Sequence, residues 1–306
     1  MISERRLESP AGSLNIASVG DQGSAILLLH GVIRSWHDFA SVIPSLSASC
    51  QVHAPDFRGH GQSAWAPGKY YVHDYVEDAL AVLDQGNVGP AVVYGHSLGA
   101  MVGVGLAARA PHLVRALILE DPPFATMGAR LLDTPLRGYF AQLRSLALRG
   151  LDVPELSAAM AEIRMPLSGS SGSVRLGDLR DEATLRFGAE CLAQADPEAL
   201  KPIVDGVWLR GYDARALFRR IVCPVLLLQG SGALGGMLTD EDAAALEACG
   251  NCTRILFSDA GHHIHRQQPD ATVRLVRDFM ESLPHLPKPV SQKPRLPSDS
   301  AAATSK

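Results

Sequence analysis

The sequence lacks any apolar run long enough to cross a bilayer, which takes about 20 residues. Its apolar runs, such as residues 25–29 and 225–228, are far shorter. A signal-peptide pattern is also missing, because the charged residues Glu4, Arg5 and Arg6 stand near the start and no apolar segment follows them. We therefore expect a cytoplasmic protein that has no membrane partner.

The sequence also lacks an excess of one charge and any framework of paired cysteines. It has 28 basic and 32 acidic residues, and the basic ones are scattered, so neither a nucleic acid nor an anionic membrane surface is indicated as a partner. Five cysteines without disulfide spacing are typical of a reducing compartment. Cys249 and Cys252 form a C-x-x-C pair with no second pair, which favours ordinary packing. We expect no metal and no cofactor.

Short apolar segments alternate with amphipathic ones along most of the chain. Strands are predicted at residues 25–29, 50–54, 91–94, 114–119, 225–228 and 254–257, and helices at 37–46, 75–83, 98–110 and 269–283. Strands that are apolar at nearly every position are buried on both faces. The pattern therefore predicts an α/β fold with a mostly parallel sheet and helices on both faces.

Residues 122–220 interrupt this alternation. They read as mostly helical, with a Gly/Ser-rich stretch at 168–173. We interpret 122–220 as a helical cap, or lid, over the carboxyl edge of the sheet, where such folds bind ligands. The core domain is then formed by 1–121 and 221–283. Residues 284–306, rich in Pro, Lys, Ser and Ala, are predicted to be a disordered tail.

One motif between a predicted strand and a predicted helix indicates a nucleophile. Residues 95–99 read Gly-His-Ser-Leu-Gly and match G-x-S-x-G. Glycines relieve crowding on a tight strand-to-helix turn, so that the hydroxyl of Ser97 projects outward. The N–H of Leu98, at the start of the helix, can stabilise a developing oxyanion. The alternative is a Gly-rich turn with a solvated serine.

Two further loops follow predicted strands. His30-Gly31 comes directly after residues 25–29, and there the N–H of Val32 can point at the same place as that of Leu98. These two donors would form an oxyanion hole. Residues 56–63 read Asp-Phe-Arg-Gly-His-Gly-Gln-Ser and predict a tight loop.

The His-Gly turn, the loop at residues 56–63 and the G-x-S-x-G motif follow one another along the chain. Together they resemble the α/β-hydrolase superfamily over residues 10–283. The resemblance implies an α/β-hydrolase fold with an inserted cap and a Ser-His-acid triad. It also implies that His30, Arg58 and His60 are scaffold residues without a chemical role.

A nucleophilic serine needs a general base. Residues 260–262 read Ala-Gly-His and follow the last predicted strand, where the resemblance places the catalytic histidine. We predict His262, with His263 and His265 as the alternatives. We expect His265 at the mouth of the site or on the surface.

The third member of the triad departs from the family pattern. Most relatives have an Asp where residues 229–236 here contain no carboxylate, and none appears until Asp240. Asp240 or Asp242 could reach in from further along the loop. Some superfamily members instead place the acid one strand after the nucleophile, where this chain has Glu120 and Asp121. Strand alternation points these two side chains to opposite sides. We predict Asp121, while Glu120 and Asp240 remain open alternatives.

A serine nucleophile is unlike haloalkane dehalogenases and epoxide hydrolases, which need a carboxylate. The leading interpretation is a serine esterase or lactonase that hydrolyses a carboxylic ester or lactone of a small to medium apolar compound. The alternatives are a cofactorless C–C bond hydrolase and a non-catalytic small-molecule-binding protein. We expect Trp36, Phe124, Met127 and Trp208 to contact the substrate. A small molecule is the expected partner, and a homodimer remains open.

Overall fold

A computed structural model of the chain describes residues 1–166 and 172–284. The predicted tail from residue 285 onward and residues 168–171 of the Gly/Ser-rich stretch lie outside the described residues. What the sequence predicts for them stays a prediction.

The described structure is built on a sheet of eight strands in the order β1-β2-β4-β3-β5-β6-β9-β10, and β7 and β8 form a separate hairpin. The strands are β1 (Ser3–Ser9), β2 (Gly12–Val19), β3 (Ser24–Leu29), β4 (Cys50–Pro55), β5 (Ala91–His96), β6 (Val114–Glu120), β7 (Arg164–Pro166), β8 (Ser173–Arg175), β9 (Val225–Gly230) and β10 (Cys252–Phe257). All pairs from β4 to β10 in the large sheet are parallel, which confirms the predicted mostly parallel sheet.

The antiparallel strands β1 and β2 at one edge of the sheet were not predicted. Most of β1 is exposed, so it lacks the continuous apolar run that identified the inner strands. An edge strand with one partner has no need of apolar residues on both faces.

Twelve helices accompany the strands in the described residues. They are α1 (Ile43–Leu46), α2 (Val72–Asp84), α3 (Leu98–Arg109), α4 (Leu136–Ala147), α5 (Val153–Ala161), α6 (Leu176–Leu179), α7 (Glu182–Gln194), α8 (Lys201–Val204), α9 (Ala214–Phe218), α10 (Asp240–Glu247), α11 (Ile264–Gln267) and α12 (Pro269–Ser282). Within this described part, no helix is both long and apolar enough to cross a membrane.

The two faces of the sheet bury separate apolar clusters, as alternation along a strand requires. Leu27 and Leu29 of β3 pack in the cluster that includes α2 and α3. Ile26 and Leu28 of the same strand pack in the cluster with α1 and α12. Helices therefore cover both faces, and the carboxyl ends of the parallel strands meet at one edge.

The prediction of one continuous helix at residues 37–46 is wrong. The structure has a 3₁₀ turn at Trp36–Phe39 and then the short helix α1. Pro44 lies in the first turn of α1. Proline has no N–H to donate and its ring clashes with the carbonyl four residues earlier, so one continuous helix through it is disfavoured.

Between β6 and β9 the described chain forms α4 to α9 and the β7–β8 hairpin. Contacts tie this segment to the sheet domain: the Tyr70 hydroxyl donates to Asp196 at 2.5 Å, and the Tyr212 hydroxyl donates to the Met101 carbonyl at 2.7 Å. The segment therefore packs beside the carboxyl edge of the sheet.

Candidate active site

Ser97 lies on the turn between β5 and α3 and has a φ of +54°, a region that non-glycine residues rarely adopt. The glycines on either side are required by space. A Cβ on Gly99 would lie 1.9 Å from the Leu29 carbonyl oxygen, and one on Gly95 would lie 2.2 Å from the Gly99 backbone. The motif therefore produces a cramped turn that presents Ser97.

Three side chains predicted from the sequence lie in contact. His262 Nε2 is 3.0 Å from Ser97 Oγ, and His262 Nδ1 is 2.6 Å from Asp121 Oδ2. Ser97 follows β5, Asp121 follows β6 and His262 follows β10. Because these strands are parallel, their carboxyl ends bring the three residues to one edge of the sheet.

The Asp121 carboxylate is fixed by the loop that lacks an acid of its own. The backbone N–H groups of Gly230 and Leu238 donate to Oδ1 at 3.1 and 3.2 Å, and that of Met237 donates to Oδ2 at 2.6 Å. Asp121 is fully buried and has a φ of +45°. The Gly-rich loop after β9 thus supplies donors to a carboxylate from the neighbouring strand.

The two alternative acids lie elsewhere. Glu120 accepts from the Tyr94 hydroxyl at 2.5 Å and from His265 Nδ1 at 2.8 Å, on the other side from His262. The Asp240 side chain is 84% exposed and pairs with Arg254. Neither carboxylate contacts His262.

The expectation that His265 lies at the mouth or surface is wrong. The short helix α11 turns its side chain inward, where it is fully buried and donates from Nε2 to the Asp38 carbonyl at 3.0 Å. Burial opposes the charged imidazole, but Glu120 and Asp38 outweigh it and raise the pKa of His265 to about 10. His263 faces the cavity beside Ser97 instead, and burial lowers its pKa.

Sequence reasoning missed His96 and Asp38, which hold the loop that carries His262. His96 Nε2 donates to the His262 carbonyl at 2.9 Å, and His96 Nδ1 lies 3.4 Å from the Asp38 carboxylate. Burial lowers the pKa of His96. The one signal in the sequence for this role is the position of His96, which is the variable residue directly before Ser97 in the G-x-S-x-G motif.

A cavity of about 720 Å³ opens at Ser97, a size that suits a small-molecule ligand. Met127 and Trp208, both predicted to contact substrate, line it. Its apolar lining is completed by Leu136, Tyr139, Phe140, Leu143, Met165, Leu176, Leu179, Leu234 and Met237. Among residues 1–166 and 172–284, no group of three or more His, Cys, Asp or Glu is placed to hold a metal ion.

The other two residues predicted to contact the substrate do not line this cavity. Trp36 is buried with the cluster on the α1 side of the sheet and stacks on His37. Phe124 is buried and packs edge-on against Phe218. An aromatic residue near a site is most often part of the core, and both follow that rule.

Comparison with known proteins agrees with this architecture. Residues 24–269 match the model of the α/β hydrolase fold family. The chain belongs to the α/β hydrolase fold family. Its predicted α/β-hydrolase fold is therefore confirmed.

The alignments of this α/β hydrolase with individual relatives cover different shares of the two chains. It is 26% identical to an esterase of Mycobacterium tuberculosis over 89% of this chain and 88% of the esterase. It is 39% identical to the lipase LipV of the same organism, over 39% of this chain but only 46% of the lipase. A crystal structure of a hydrolase from Pseudomonas aeruginosa superposes with a TM-score of 0.71 at 24% identity, covering 91% of this chain and 98% of that one, which shows the shared fold.

Two residues that the resemblance assigned to the scaffold of this α/β hydrolase do hold its loops. His30 Nδ1 donates to the Gly31 carbonyl at 2.7 Å, and Nε2 accepts from the Phe57 N–H at 3.0 Å. Burial lowers the pKa of His30 to about 4, so the ring is neutral. Arg58 makes a bidentate pair with Asp78. Neither residue lines the cavity at Ser97.

Of the two expected oxyanion donors, Leu98 directly follows Ser97 in the chain and Val32 lines the cavity at Ser97. Leu98 is the first residue of α3, so its N–H has no partner within the helix. Val32 and Gly31 line the same cavity as Ser97. The His30 hydrogen bonds hold this loop at the end of β3.

Proposed function

We propose that this α/β hydrolase is a serine hydrolase that cleaves a carboxylic ester or lactone through an acyl-enzyme on Ser97. The observation that supports it is the continuous hydrogen-bonded line from Ser97 Oγ through both ring nitrogens of His262 to Asp121. A nucleophile, a base and an orienting acid in this arrangement are what acyl transfer needs. Family membership supports hydrolase chemistry.

Each residue then has one role. His262 Nε2 takes the Ser97 proton as Oγ attacks the substrate carbonyl, and the N–H groups of Val32 and Leu98 stabilise the oxyanion. His262 passes the proton to the leaving oxygen, and Asp121 stabilises the imidazolium meanwhile. In the second half, His262 takes a proton from water as the water oxygen attacks the acyl-enzyme carbonyl. His262 then returns that proton to Ser97 Oγ as the bond to the acyl group breaks and the acid product leaves.

The cavity suits a substrate with a substantial apolar part. Most of its wall is apolar, and that wall comes largely from residues between β6 and β9, including Met127, Leu143 and Trp208. We therefore assign residues 122–220 the role of a cap that encloses the substrate and shields the site at Ser97 from bulk water, while the water that attacks the acyl-enzyme can still enter.

The direct test is hydrolysis of 4-nitrophenyl butyrate and of a small lactone by the purified protein. We expect turnover of at least one of them, and a loss on the order of 10⁴-fold in kcat in Ser97→Ala. The control is Ser282→Ala, which alters an exposed serine of α12 and should leave the rate unchanged. No turnover by the unaltered protein, or full activity in Ser97→Ala, would overturn the proposal.

A further inference from the structure

The wall of the cavity at Ser97 has an excess of positive charge. Its charged side chains are Arg34, Arg180, Arg266 and Asp181, three cations against one anion. Asp181 is exposed and its carboxylate accepts from the Thr184 N–H at 2.7 Å as the cap of α7. The Thr184 hydrogen bond and, more weakly, the charge of Arg266 lower the pKa of Asp181. Asp181 therefore balances part of one cation, and an excess of positive charge remains.

Two of these cations share one carboxylate. Arg34 Nε and Arg266 Nη1 lie 3.7 and 3.6 Å from Asp38 Oδ1. Both guanidinium groups also stand over the Phe187 ring, at 5.9 and 4.8 Å from its centroid. His265 approaches Asp38 too. Glu120 balances the His265 imidazolium, so Asp38 and the exposed Asp181 are left to balance the three arginines.

The remaining hydrogen-bonding capacity of these arginines is large. Within the described ranges, the Arg180 guanidinium makes no hydrogen bond or ion pair, and the Arg266 guanidinium makes only its contact with Asp38. A guanidinium has five N–H donors. Burial lowers the pKa of Arg266, and Arg34 and Arg180 lower it further, against the opposing effect of Asp38. An added anion would relieve this repulsion.

The cationic wall adjoins the candidate catalytic residues. Arg34 lies two positions after Val32, and Arg266 lies four positions after His262. Arg34 Nη2 is 3.4 Å from His263 Nε2, and the His263 ring is 5.1 Å from the His262 ring. An anion bound at this wall would therefore belong to the molecule that reacts at Ser97.

We propose that the substrate carries a carboxylate group, which Arg180 and Arg266 bind directly and which the charge of Arg34 further stabilises. Guanidinium groups bind carboxylates through paired N–H donors. The apolar wall then contacts the rest of the molecule, so the substrate has one anionic end and one apolar part. This inference rests on the proposed ester hydrolysis and specifies which esters are preferred.

The first test compares matched esters with and without the charge. Mono-4-nitrophenyl adipate places a carboxylate on the acyl side, and 4-nitrophenyl heptanoate is its neutral counterpart. On the leaving-group side, 4-butyryloxybenzoate is compared with 4-butyryloxybenzamide. We expect kcat/KM to favour the carboxylate in at least one pair by about tenfold or more, and this preference to shrink as NaCl is raised. No preference in either pair would overturn the inference.

The second test changes the arginines. Arg180→Gln and Arg266→Gln should each lower the ratio of kcat/KM values, anionic over neutral, by about tenfold and so remove most of the preference, since a hydrogen bond to a charged group is lost. Arg186→Gln is the matched control, because this arginine of α7 is 72% exposed and pairs with Glu190. An unchanged ratio in both cavity variants would contradict the assignment.

A binding measurement separates this inference from the proposed function. In Ser97→Ala, adipate at about five times its Kd should raise the Tm by roughly 2–4 °C, whereas adipamide should not. Arg180→Gln in the same background should remove the shift. Adipate binding without ester hydrolysis would refute the proposed function and keep the anion site. Ester hydrolysis with neither a preference for the carboxylate nor binding of adipate would refute the anion site and keep the proposed function.

Discussion

Glu120 and Asp121 are consecutive at the end of β6, yet their carboxylates bind two different histidines of the same turn. Asp121 Oδ2 lies 2.6 Å from His262 Nδ1, and Glu120 Oε1 lies 2.8 Å from His265 Nδ1. Strand alternation and the φ of +45° at Asp121 direct the two side chains to opposite sides. The turn of residues 262–265 is thus held on both sides by one strand end.

Replacing Asp121 tests the acid of the proposed triad. We expect Asp121→Asn to lower kcat for 4-nitrophenyl butyrate by about 10³- to 10⁴-fold, because the imidazolium loses its partner. Asparagine tolerates a positive φ, so the backbone can be kept. It aims an N–H₂ group or a weaker acceptor at the N–H groups of Met237 and Leu238, so the Tm should also fall.

The control for that experiment is Asp240→Asn, which alters an exposed carboxylate paired with Arg254. The rate should change by less than about tenfold. A large loss in Asp240→Asn together with normal activity in Asp121→Asn would return the acid to the loop after β9.

The Glu120–His265 pair should shape the stability of the protein against pH. The pKa of His265 is raised to about 10, so its stabilisation is complete below about pH 6.5 and is lost as the pH rises towards 10. Burial would raise the pKa of Glu120, but His265 outweighs it and lowers that pKa to about 2. Its stabilisation is present above about pH 4.5 and is lost as the pH falls towards 2.

Urea unfolding at a series of pH values measures both slopes. We expect the highest free energy of unfolding near pH 4.5–6.5 from this pair. His265→Gln leaves Glu120 buried without a cation and should cost about 3–5 kcal/mol. The double variant Glu120→Gln/His265→Gln should recover part of this loss and flatten both slopes. Unchanged slopes in the double variant would show that other groups cause the pH dependence.

Much of the candidate site is predictable because its signals are local in the sequence. The glycines around Ser97 indicate a cramped turn, and strand alternation predicts that the side chains of Glu120 and Asp121 point to opposite sides. The inner strands are predictable for the same reason, since burial on both faces makes each a continuous apolar run. Their ends then place Ser97, Asp121 and His262 at one edge.

The rest depends on contacts that no local pattern reveals. Asp38 meets His265 across 227 positions of the chain, and the direction of the turn after Gly261 is set by packing, which is why His265 was misplaced. Trp36 and Phe124 do not line the cavity, and the sequence could not show this because it does not reveal which neighbours an aromatic ring contacts. The cationic wall joins Arg34, Arg180 and Arg266 from three separate segments.

Two glycines near the turn that carries Ser97 give a matched pair of variants. Gly99→Ala should cost about 3 kcal/mol or more and abolish activity, since its Cβ would lie 1.9 Å from the Leu29 carbonyl oxygen. Gly103→Ala in the same helix meets its nearest atoms at 3.5 Å and should change stability by less than about 1 kcal/mol. Thermal unfolding and activity assays compare them. Equal effects would show that the turn at Ser97 is looser than described.

An organophosphonate should label Ser97 and no other serine. Reaction requires a hydroxyl that hydrogen-bonds a base, and Ser97 Oγ lies 3.0 Å from His262 Nε2. Peptide mass spectrometry after labelling identifies the modified residue. His262→Ala should remove the label and Ser282→Ala should keep it. Modification of another serine with Ser97 unmodified would refute the nucleophile assignment.

Ser97 and His262 should act as one unit when both are removed. Ser97→Ala and His262→Ala should each lower kcat on the order of 10⁴-fold, and the double variant should lose little more, because the base has no function without the hydroxyl that it deprotonates. Single-turnover hydrolysis of 4-nitrophenyl butyrate measures all three against Ser282→Ala. If the losses instead multiply in the double variant, the two residues contribute independently, and the His262 contact with Ser97 is not the proton-transfer path.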